Sequence, residues 1–133
     1  MAKWYKIAAL TTVGANGSGA ADSGIVGKTA DNSEPIPAGF IMAVFIDFTS
    51  QHANTDVTIS LIMPNAALVT LLATTNVNTD GYYVPMMASH STAGAASTTD
   101  LRYPMTANGR FQTVVAQGAS SQALAVWVAI EPS

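Results

Sequence analysis

The sequence predicts an all-β protein, an antiparallel two-sheet sandwich of about eight strands, and three observations carry that prediction. Apolar residues recur with period two rather than 3.6. β-Branched and aromatic residues gather in short runs divided by Gly, Asn, Asp, Ser and Pro. A helical reading competes only at residues 66–75, where threonines and Val69 favour a strand.

The elements follow in order. Residues 3–12 alternate, with Trp4, Lys6, Ala8 and Leu10 opposite Tyr5, Ile7 and Ala9. Residues 13–24 read as a flexible Gly-rich loop or arm, because Gly14, Gly17, Gly19 and their small neighbours lose much entropy on ordering and bring little to a core. Ile25 and Val26 form a short strand, and Pro35 and Pro37 keep the next segment extended or turning. Residues 40–48 are the central strand. Phe40, Met42, Val44, Ile46 and Phe48 point one way and Ile41, Ala43 and Phe45 the other, so both of its faces are expected to be covered. Residues 55–61 are half-buried, with Val57, Ile59 and Leu61 inward. Segments 68–74, 82–88, 111–116 and 124–130 complete the set. Turns are expected at Pro64-Asn65, residues 78–81, Asn108-Gly109 and residues 118–121, and residues 89–100 as a long Ala/Ser/Thr/Gly loop. Inward rows from both sheets make one core in a single domain, residues 1–133, of jelly-roll or immunoglobulin-like kind.

Composition bounds the function. Of 133 residues 49% are hydrophobic and only 10% charged, against roughly 25% charged in an average soluble domain. A net charge of −3 offers no basic surplus for a nucleic acid or an anionic membrane. No segment approaches the roughly 20 apolar residues of a membrane-spanning helix. The apolar run after Lys3 and Lys6 is too short for a signal peptide, so Met1 reads as a native start. Zero cysteines exclude disulfides, thiolate metal sites and cysteine nucleophiles.

Several motifs come close to a known chemistry. Gly27-Lys28-Thr29 ends like a phosphate-binding loop, but Asp22 stands where that loop needs its first glycine. Residues 76–81 match the first half of a calcium loop, yet the closing acid falls on Met87. A turn capped by Asn and Asp, with Gly81 at positive φ, accounts for them. His52 and His90 are the only imidazoles and no Gly-x-Ser-x-Gly elbow accompanies them. Glu34 and Glu131, the only glutamates, both adjoin prolines and support no carboxylate pair. Asn16-Gly17-Ser18 is a formal glycosylation sequon without a secretion signal. The sequence therefore predicts no enzyme, no cofactor and no metal. Trp4, Tyr5, Tyr82, Tyr83, Tyr103 and Trp127 suit packing or interfaces, with a carbohydrate platform as the second reading.

Residues 36–48 (IPAGFIMAVFIDF), 54–59 (NTDVTI), 75–83 (TNVNTDGYY), and the ending 115–118 with 124–128 resemble small β-sandwich virion proteins of tailed bacteriophages. The likeness lies in strand order and turn phrases over residues 36–130. It implies a capsid decoration or cement protein, made in the host cytoplasm and carried on the capsid surface. The implied partners are the major capsid protein and further copies of the chain, a trimer being favoured by local three-fold capsid axes. A glycan-binding or minor tail or head-vertex module is the alternative. The low charge points the same way, because subunit interfaces are depleted in charge. Trp4, Tyr5, Phe45, Tyr82 and Tyr83 are the candidate partner or oligomer contacts.

Overall fold

A computed structural model describes residues 1–12, 19–22, 29–31, 33–63, 67–90, 92–105, 110–119 and 121–133. Its strands are β1 (Lys3–Thr11), β2 (Gly19–Asp22), β3 (Gly39–Phe48), β4 (Asp56–Ile62), β5 (Leu68–Thr74), β6 (Gly81–Tyr83), β7 (Met86–His90), β8 (Ala96–Arg102), β9 (Pro104–Met105), β10 (Arg110–Ala116) and β11 (Ala123–Pro132). The fold is all-β, and the described residues contain no helix.

One sheet runs β1-β11-β3-β6, with β9 also on β3; we call it sheet A. The second, sheet B, runs β2-β10-β4-β5, and β7 and β8 form a separate hairpin. Every pairing is antiparallel. Tyr5, Ile7, Ile41, Val44, Ile46, Val126 and Val128 from sheet A meet Val57, Ile59, Phe111 and Val115 from sheet B in one core. Removing these side chains from water is the main stabilising term, about 1.5–3 kcal/mol for each large one.

Most expected strands form, but bulges shift their phase. Ala129 pairs with Ala43 while the next residue, Ile130, pairs with Ile41, which leaves Met42 as an extra residue on β3. Ile41 therefore turns into the core with Val44, Ile46 and Phe48, and Phe40 turns outward, the reverse of strict alternation. Arg102 donates to the bulged Met42 carbonyl at 2.9 Å, giving that carbonyl a charged partner. Ile7 is the corresponding extra residue on β1, so both Ile7 and Ala8 are buried. Leu71 plays this part on β5.

Other expectations change as well. The strand expected over 82–88 breaks at Val84-Pro85 into β6 and β7, since proline has no amide for the ladder. The loop expected over 89–100 is largely the β7–β8 hairpin, held by backbone pairing without an apolar stripe. Within 13–24, residues 19–22 form β2 on β10, and the remainder lies outside the described residues. The expected strand at 25–26, and the turns at Pro64-Asn65 and Asn108-Gly109, lie outside them too. Positive φ in the 76–81 turn belongs to Asn76 (56°); Gly81 is instead pressed against the Tyr83 ring, where an added Cβ would lie 3.0 Å from its hydroxyl oxygen.

A buried amide locks one end of the sandwich. Gln51 Nε2 donates to Thr12 Oγ1 and to the Gln122 carbonyl, both at 3.2 Å, and Gln51 Oε1 accepts from the Ala119 amide at 2.7 Å. The Thr12 hydroxyl is shared between the carbonyls of Ala119 and Gln122. Asn78 Nδ2 donates to the Gln51 carbonyl at 3.0 Å, and Asp80 Oδ1 accepts from the Phe48 amide at 2.7 Å. Four connections are joined through Gln51, whose side chain satisfies a loop amide that would otherwise be buried without a partner.

Candidate binding face

The outer face of sheet A is built by register. Lys6 lies opposite Trp127, Trp127 opposite Phe45, and Phe45 opposite Tyr82, so one row crosses β1, β11, β3 and β6. Period two sends these side chains outward while their neighbours Tyr5, Val126, Val128, Val44 and Ile46 fill the core. Tyr82 stacks on Phe45 at 4.5 Å between centroids and 22° between planes. Lys6 Nζ sits 4.8 Å from the Trp127 ring centroid. The next row begins with Trp4 opposite Ala129, itself opposite Ala43, and these small side chains leave the space across which Trp4 meets Tyr82 edge-on at 6.1 Å. Such aromatic pairs contribute about 0.5–1.5 kcal/mol each, so the rings hold one another in place.

The result is a pre-arranged aromatic surface on a rigid sheet. Tyr82 is 72% exposed and Trp4 40%. Beside it lies a groove of about 330 Å³, with Lys6, Asp47, Thr11 and Thr49 around Ala9 and Ala125.

Of the five expected contact residues, Trp4, Phe45 and Tyr82 come together on this face. Tyr5 belongs to the core at 6% exposure, and Tyr83 is half-buried against the core on the other side of β6. The outward-facing chain direction at Tyr5 is taken instead by Trp4 and Lys6. Lys6 and Trp127 were not among the five. Their signal was alternation itself, which places Trp127 between inward Val126 and Val128.

Several polar groups among the described residues hold turns and loops, and the His90 side chain lies outside the description. His52 is exposed in the β3–β4 connection, where its carbonyl accepts from the Thr55 hydroxyl at 2.6 Å. Asn76, Asn78 and Asp80 tie their turn to β3 and β4 through the contacts above and the Asn76 amide to Asp56 at 3.1 Å. Among the described residues, no three His, Asp or Glu gather as a metal site. The Ser33 hydroxyl and amide, with the Thr29 hydroxyl, hold the Asp31 carboxyl down at about 2. A hydrogen bond to Glu34 raises Lys3 above its ordinary value.

Fold and face together define an antiparallel β-sandwich with an aromatic outer sheet. In comparisons with family models, curated proteins and solved structures, nothing matches the chain.

Proposed function

We propose that the chain is a structural virion protein of a tailed phage, a decoration protein that docks on the assembled head through the outer face of sheet A. The observation that supports it is the Trp4, Phe45, Tyr82 and Trp127 surface, on which Lys6 is the one charge in the row. Trp and Tyr are the residues that most often anchor protein interfaces, because they bury large area at small entropy cost. The resemblance of residues 36–130 to phage virion proteins supplies the partner class, the major capsid protein. The role is non-catalytic: a ligand that binds only the assembled shell stabilises it by mass action.

The test is rebinding of purified chain to stripped heads. Wild type is expected to reach a copy number near that of the major shell protein and to raise the temperature of head disruption. Tyr82→Ala and Trp4→Ala are each expected to weaken binding about 30-fold, in line with a hot-spot loss of about 2 kcal/mol. A handful of copies per head, or undiminished binding by both variants, refutes the reading. Saccharide recognition is a second reading, favoured by the groove of Lys6, Asp47, Thr11 and Thr49 beside the rings. Under that reading a glycan array gives a signal that Tyr82→Ala removes.

A further inference from the structure

We propose that the groove beside Trp127 binds an uncharged sugar unit, a hexose whose adjacent hydroxyls span Asp47 and Lys6. The inference rests on the saccharide reading of this face, not on head docking, and names the class of sugar and the side chains that select it.

Three successive rows on the outer face of sheet A shape the groove. Lys6, Trp127 and Phe45 form the first and Ala9, Ala125 and Asp47 the second. Thr11 and Ala123 form the third, which Thr49 extends through its amide bond to the Ala123 carbonyl at 3.1 Å. The middle row is low because two of its three side chains are single methyl groups. A rise of about 3.3 Å per residue sets Trp127 and Ala123 about 13 Å apart along β11, with the floor between them. The groove, about 330 Å³, stands at the lower end of small-molecule sites, about 300–1,000 Å³. All of its lining residues are among those described.

The groove carries one charge of each sign, and neither is ion-paired. Asp47 is exposed, and its carboxylate makes no hydrogen bond or ion pair among the described residues. Lys6 rests its ammonium group on the Trp127 ring and pairs with no carboxylate among those residues.

Charge balance selects the ligand. A carboxylate attracted by Lys6 is repelled by Asp47, and an ammonium group meets the reverse, so a net charge of either sign gains little. A hydroxyl group suits both, since it donates to a carboxylate and accepts from an ammonium group, each time in a charge-assisted hydrogen bond. Two adjacent hydroxyls on a pyranose ring offer that pair. Thr11 and Thr49 supply neutral partners for further hydroxyls, and ring C–H groups pack on the Ala9 and Ala125 methyls. A free zwitterion also meets both charges, but exposed ion pairs contribute little in water, and it leaves the threonine hydroxyls and the floor unused.

A glycan array probed with the purified full chain tests this, using glycans that end in neutral hexoses, in uronic or sialic acids, and in amino sugars with a free amine. Wild type is expected to bind the neutral group alone. Asp47→Asn is expected to weaken that binding about tenfold, the loss of one hydrogen bond to a charged group, and to admit acidic glycans, whose repulsion it removes. Lys6→Gln is expected to admit the amino sugars. Ala9→Leu fills the floor and is expected to abolish binding, with unchanged circular dichroism showing that it is folded; should it unfold, the two charge variants carry the test. Two results overturn the inference and leave the saccharide reading standing. One is acidic or amino glycans bound by wild type as strongly as neutral ones; the other is neutral binding that Tyr82→Ala removes while Asp47→Asn and Lys6→Gln leave it unchanged. A silent array overturns both.

Discussion

Replacing Gln51 tests whether one buried amide holds the end of the sandwich together. Its side chain makes three hydrogen bonds at 5% exposure. In Gln51→Leu the volume is nearly kept but the Ala119 amide loses its acceptor. Thr12 Oγ1 and the Gln122 carbonyl keep each other, at 3.1 Å. A buried donor left without a partner costs about 1–3 kcal/mol, and losing two bonds to groups that keep other partners costs about 0.5 kcal/mol each. The expected loss is therefore about 3 kcal/mol, or a fall in Tm of roughly 10 °C at this chain length.

Gln51→Glu sharpens the test, because it is isosteric and only its protonated form can still donate to Gln122. Burial and the facing carbonyl push its folded pKa above the value of about 4.3 for an unfolded glutamate. The folded state then binds more protons than the unfolded one between those two values. Stability is fully present below about pH 4.3 and is lost as pH rises through the folded value. Urea unfolding of the three proteins from pH 4 to 8 reads this directly. Parallel pH profiles for Gln51→Glu and wild type, or a Gln51→Leu loss under about 0.5 kcal/mol, refute the reasoning.

Three further outcomes are expected. Thr113 is fully buried on β10 and its hydroxyl has no partner among the described residues, so Thr113→Val should stabilise by about 1 kcal/mol, measured as a shift of the urea midpoint at constant slope. An added Cβ at Gly39 would stand 2.0 Å from the Glu131 carbonyl oxygen, so Gly39→Ala should destabilise by about 3 kcal/mol, as backbone on both sides must move; calorimetry measures the change. Asp31 has a folded pKa below its unfolded value near 3.9, so its contribution is present above that pH and lost as pH falls toward 2. Acid titration of Asp31→Asn should show a shallower decline across that window than wild type.

Strands with one buried face were legible in the sequence, as Val57, Ile59 and Leu61 on β4 illustrate. Alternation there states which side chains leave water. The bulges were not legible, because an extra Ile7, Met42 or Leu71 looks like any other apolar residue until its partner strand is known. Strict alternation therefore groups Ile41 with Phe45 and Phe40 with Val44, whereas the bulge at Met42 exchanges the two. The β7–β8 hairpin escaped for another reason: Ala, Ser and Thr pair through backbone without declaring a face. At the binding face, Trp4, Phe45 and Tyr82 stood out by type, but their meeting depends on pairings between residues far apart in the chain. Tyr5 could be told from Trp4 only by knowing which face of β1 is covered.

The position of β11 makes the pairings of sheet A distant in sequence. It lies between β1 and β3 and follows every other strand in chain order, so β1 is made well before its sheet neighbour. Trp127 on β11 is the link that joins Lys6 on β1 to Phe45 on β3, so the full aromatic row needs β11 in place. Pairings this distant in sequence make folding slow and leave apolar strands exposed in the interim. The surface proposed to bind a partner is thus complete only when the most distant pairings of sheet A are made.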